Sequence, residues 1–132
     1  MIALDTNALI RLIVYDDEAQ ARAVERILVR ARRDETPVFL SDIVLCEFVW
    51  VLTSRLRKTR AEIGEVLDRI LRTELFVFAD AAALEVATAA YAGGRGDFAD
   101  YVIRGQARAA GAAEVITFDR ALKGEAGYRV LG

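Results

Sequence analysis

Short apolar runs alternate along this chain with longer stretches of helical periodicity. Met1–Leu4, Val38–Leu40, Leu75–Ala79 and Val115–Phe118 are runs of strand length, and Tyr128–Leu131 makes a fifth at a sheet edge. Met1–Leu4 and Val115–Phe118 stop at aspartates, Asp5 and Asp119. Between the runs, Asn7–Val14 reads as a short helix. Glu18–Arg33 reads as a longer one, with Ala19, Ala23, Ile27, Leu28 and Ala31 as its apolar positions and a basic end at Arg30, Arg32 and Arg33. Ser41 can cap a helix running to about Arg55. Thr59-Arg60-Ala61-Glu62 has the spacing of a capping box and opens a helix to about Arg72. Asp80 can cap an alanine-rich helix to Ala92; Gly93-Gly94-Arg95-Gly96 follows as a flexible loop. Asp97–Ala110 is again helical, and Gly111 stops it.

Strands alternating with helices predict an α/β fold, a three-layer α/β/α arrangement around a central, mostly parallel sheet of four to five strands. The length, 132 residues, suits one domain over 1–132. Met1–Leu4 is expected to be a buried strand, Trp50, Phe48 and Phe76 to be core, and Cys46 a small buried hydrophobe.

Composition narrows the chemistry. Hydrophobic residues make up 55% of the chain, yet no apolar run approaches the roughly 20 residues that cross a bilayer. Met1 leads into Ile-Ala-Leu-Asp without a basic n-region, so a cytoplasmic protein with no secretory signal and no membrane partner is expected. The chain has no histidine and one cysteine. That excludes Ser-His-Asp and Cys-His triads, His-ligated zinc, Cys-based zinc sites and an intramolecular disulfide. Carboxylates, hydroxyls, Lys and Arg must carry any reaction. The net charge of −2 gives no global basic field toward nucleic acid, leaving local patches to do that work.

In open parallel sheets, ligands bind beyond the carboxyl ends of the strands. Asp5 and Asp119 are expected on that rim, although an Asp after a strand also serves as a turn former or N-cap. Glu47 lies within Ile43–Leu52, whose other nine residues are all apolar; it reads as a carboxylate on a buried helix, held either by an Arg or by a metal. Asp97 and Asp100 share a helix face in the first turn. Asp97 reads as the cap and Asp100 as the ligand. Two like charges about 4 Å apart repel by roughly 4 kcal/mol at an effective dielectric of 20. A divalent cation relieves several such pairs at once, and an all-oxygen donor set selects Mg²⁺ or Mn²⁺.

Four motifs in register carry a family resemblance: Leu4-Asp5-Thr6-Asn7; Glu47 after Ser41-Asp42-Ile43-Val44-Leu45-Cys46; Asp97-Phe98-Ala99-Asp100; and Val115-Ile116-Thr117-Phe118-Asp119-Arg120. In order and spacing the chain resembles a PIN domain, in particular the VapC-type toxins of toxin–antitoxin pairs. The resemblance implies a metal-dependent RNA endonuclease, usually a homodimer, restrained by a VapB-type antitoxin. It implies that Asp5, Glu47, Asp100 and Asp119 form the acidic quartet, with Asp97 an additional acid at the metal. It also implies that Asn7 and Thr117 support the acids through hydrogen bonds. Asp5, Asp100 and Asp119 would hold the metal, while Glu47 orients the attacking water or helps a second metal. Arg11, Arg95, Arg120 and Lys123 could hold RNA phosphates, or be solvated charges and structural ion pairs. Arg55–Arg60 reads as a solvated inter-helix turn.

Two rivals remain. A receiver-type signalling domain also collects acids at a sheet rim, but it needs an acidic pair after strand one and a lysine after a late strand. Here Thr6 follows Asp5, and no lysine closes strand four. A catalytically silent PIN-type binding module would keep the fold and lose the chemistry; the intact quartet argues against it.

Overall fold

A computed structural model describes residues 1–132. The chain forms two compact units: Met1–Arg57 with Arg72–Ala79, and Lys58–Leu71 with Asp80–Gly132.

The first unit holds β1 (Ile2–Ala3), α1 (Thr6–Val14), α2 (Glu18–Arg33), β2 (Val38–Phe39), α3 (Asp42–Ser54) and β3 (Phe76–Val77). Its three strands are parallel in the order β1-β2-β3, with Ile2 opposite Val38 and Val38 opposite Phe76. Crossovers through helices are what a parallel ladder requires. Each helix starts on a side-chain cap. Asp5 Oδ1 accepts the Ala8 N–H at 2.9 Å, Asp17 Oδ1 that of Gln20 at 3.1 Å, and Ser41 Oγ that of Val44 at 3.2 Å. α1 ends with Tyr15 in the left-handed region.

The expected burial needs correction in three places. Leu4 is buried, but Ile2 and Ala3 are exposed, so β1 is not a buried strand. On α2 the buried positions are Ala21 and Ala31, whereas Ala23 and Ile27 face solvent. α3 is two-faced: Leu45, Phe48, Val49 and Leu52 are buried at helical spacing, while Ile43, Glu47 and Trp50 form an exposed stripe. Ile43 is 72% exposed and Trp50 60%. Nine apolar residues around one acid hid this period, because both faces of the helix read as hydrophobic.

The second unit holds α4 (Arg60–Leu71), α5 (Ala81–Gly93), α6 (Phe98–Ala109), β4 (Val115–Thr117), a single 3₁₀ turn (Arg120–Leu122) and β5 (Tyr128–Val130). The capping box forms as read: Thr59 N–H donates to Glu62 Oε1 at 3.0 Å, and Glu62 N–H to Thr59 Oγ1 at 3.2 Å. Asp80 Oδ1 caps α5 through the Ala83 N–H at 3.0 Å. α5 packs against both α4 and α6, and Tyr91 meets Phe98 edge-to-face with centroids 6.1 Å apart. β4 and β5 are parallel, with Val115 opposite Tyr128. All five expected strands are present. Their hydrogen-bonded ladders are two, one of three strands and one of two, each complete within its own unit.

The two faces of α3 make a stability prediction. Phe48 is fully buried, so Phe48→Ala should cost about 3–5 kcal/mol. Trp50→Ala should cost no more than about 1 kcal/mol, the scale of an exposed cation–π contact. Urea denaturation of the two variants checks the order.

Candidate functional site

In the first unit, Asp5 follows β1 and Glu47 sits on α3, two positions before its buried Val49. Both line a cleft of about 490 Å³ together with Thr6, Asn7, Ile10, Trp50, Val51 and Arg55. Glu47 is exposed to that cleft rather than buried, which removes the desolvation cost expected for it and with it the need for an Arg partner. Its Oε1 accepts a hydrogen bond from Thr6 Oγ1 at 2.7 Å. The sequence points to Asn7 rather than Thr6 as the supporting residue; Asn7 lines the same cleft. Thr6 stands inside the quoted motif, one residue from Asp5, and that adjacency was the available signal.

In the second unit, Asp97 is the N-cap residue of α6, and its N–H donates to Asp100 Oδ2 at 2.8 Å. Asp100 is half-buried. Burial raises its carboxyl above the usual range, the Asp97 N–H opposes that, and the charges of Asp97 and Asp119 raise it further. Asp119 is thus electrostatically coupled to the α6 acids within this unit. It follows β4 and caps the 3₁₀ turn, its Oδ1 accepting the Ala121 N–H at 2.9 Å. Thr117 Oγ1 accepts the Asp119 N–H at 3.0 Å, which shapes the turn that presents the acid. The Tyr128 hydroxyl donates to the Asp100 carbonyl.

The four candidate cations divide. Arg11 is committed to the α1–α2 corner: Nη1 contacts both oxygens of Asp16 at 3.1 Å, and Nε donates to Gln20 Oε1 at 2.6 Å. Arg95 is tied to the segment after the 3₁₀ turn, donating through its guanidinium to the Lys123 carbonyl and through its N–H to Glu125 Oε1. Arg120 and Lys123 are exposed. The glycine loop before α6 is a packing device rather than a mobile rim. A Cβ on Gly94 would lie 1.9 Å from the Tyr101 hydroxyl, and one on Gly96 2.7 Å from Leu122. That hydroxyl accepts the Gly96 N–H and donates to Glu125 Oε1, both at 3.0 Å.

Neither unit gathers three acid or thiol side chains closely enough to hold an ion alone. The donor chemistry nevertheless fits a hard divalent cation. All candidate donors are carboxylate oxygens, and the charges of Asp97 and Asp119 both bear on Asp100. Burial, then the charges of Asp42 and Glu47, push the single thiol, Cys46, up to about 11. A family model described as PIN domain matches residues 2–126, a span that takes in every acid named above. No curated protein matches the chain significantly.

Tyr101 supplies the prediction here. Tyr101→Phe strands the N–H of buried Gly96 and should cost about 1–3 kcal/mol. Chemical denaturation measures the loss, and an unchanged midpoint would contradict the role given to the hydroxyl.

Proposed function

The chain belongs to the PIN domain family, in general a family of metal-dependent nucleases. From that premise we propose that it is a Mg²⁺- or Mn²⁺-dependent endoribonuclease, a VapC-type toxin acting as a homodimer and restrained by a VapB-type antitoxin. The span of the family match supports treating residues 1–132 as one PIN-like nuclease domain. One observation carries the reading. Asp5 and Asp119 each stand two residues past the end of a parallel strand, and each has a second acid in its own unit. Glu47 shares the cleft of Asp5, and Asp100 feels the charge of Asp119.

In this reading Asp5, Asp100 and Asp119 hold the cation, with Asp97 fixing Asp100 through its N–H. A bound divalent cation supplies positive charge for the scissile phosphate and acidifies a water. Glu47 has one oxygen anchored by Thr6, and Oε2 is left to orient the attacking water and accept its proton. With no histidine in the chain, the leaving 3′-oxygen takes its proton from solvent. Arg120 and Lys123, exposed beside Asp119, are placed to meet RNA phosphates.

The test is cleavage of defined RNAs by the full chain with Mn²⁺. The wild type should cut, chelator should stop it, and Asp5→Asn or Glu47→Gln should each lower the rate at least about a hundredfold. Asp97→Asn should be milder than Asp100→Asn. Undiminished cleavage by Asp5→Asn, or in chelator, would overturn the reading.

A further inference from the structure

Trp50 is the chain's only tryptophan, and it stands 60% exposed. An indole left in water forgoes a large hydrophobic gain, so an exposed one beside a functional cleft calls for an occupant. Trp50 lies three residues beyond Glu47 on α3, one turn along the same face, and lines the same cleft. Arg55, at the C-cap of α3, completes the lining; its guanidinium carbon is 6.0 Å from the indole centroid. No carboxylate pairs with Arg55. The cleft therefore runs from a carboxylate end at Asp5 and Glu47, past an aromatic wall, to a cation that has the indole beside it and no carboxylate partner.

That sequence of groups matches a nucleotide unit. We propose that Trp50 is the stacking platform for the nucleobase next to the scissile phosphate, with Arg55 taking the following phosphate. The placement next to the scissile bond rests on the nuclease reading above. An apolar protein surface fits the cleft poorly. It would desolvate Asp5, Thr6, Asn7, Glu47 and Arg55 without pairing them, and Ile43, the other exposed apolar residue of this face, lies outside the lining. A nucleotide brings a π-face for the indole and polar groups for the rest. Stacking of this kind accepts any base, because every base has a π-face.

The single indole makes the test direct. In chelator, a six-nucleotide oligoadenylate should quench the Trp50 fluorescence of the full chain saturably, and an abasic ribose-phosphate oligomer of equal length should not. Trp50→Ala should raise KM for Mn²⁺-dependent cleavage roughly five- to a hundredfold while moving kcat far less. Trp50→Phe should recover most of the loss, and the melting temperatures of both variants should match the wild type. Equal quenching by the abasic oligomer, or an unchanged KM in Trp50→Ala, overturns the platform. So does a Trp50→Ala chain that sediments as a monomer where the wild type is a dimer, with KM unmoved. Base-dependent quenching without any cleavage would uphold the platform as a base-binding site and strike the nuclease reading instead; cleavage without quenching would do the reverse.

Discussion

The hydrogen bond that a first-turn N–H of a helix donates to a side-chain oxygen, made just after a parallel strand, is the contact on which the rest of this structure depends. Asp5, Ser41 and Asp119 all make it. It satisfies donors that a helix start leaves open, and it fixes the direction in which the chain leaves the strand. Two of the three oxygens belong to carboxylates. The same bond that starts the element holds an acid at the end of a strand, where open parallel sheets receive ligands.

Holding acids there has an electrostatic cost that the second unit displays. Asp100 is half-buried, its carboxyl raised by burial and by the charges of Asp97 and Asp119, and one oxygen already accepts the Asp97 N–H. The cap and the repulsion act on the same group in opposite directions. In the first unit Glu47 escapes burial and is steadied instead by the Thr6 hydroxyl. Neither Glu47 nor Asp100 forms an ion pair, and a bound dication would relieve the charge they carry.

The element order was legible in the sequence because its signals are local. The Thr59–Glu62 capping box, the caps Ser41 and Asp80, and the stop at Gly111, whose φ is +94°, all act within a few residues. The acids after β1 and β4 were legible for the same reason. Exposure was not. In α3 a nearly uniform apolar composition conceals which stripe faces outward, so by pattern alone Trp50 reads as core and Glu47 as part of a buried helix. The hydrophobic residues of β1 misled in the same way. Contacts between distant positions, such as Thr6 with Glu47 or Arg95 with Glu125, leave no periodic trace. The glycines before α6 read as a flexible loop because sequence shows their freedom and not the Tyr101 hydroxyl packed against Gly94 and Gly96.

The central claim is that the acids following β1 and β4 bind a divalent cation. Calorimetric titration of the full chain with Mn²⁺ tests it most directly, using Asp5→Asn and Asp119→Asn in parallel. Each substitution should weaken Mn²⁺ binding at least about tenfold. Wild-type affinity retained by either variant would contradict it.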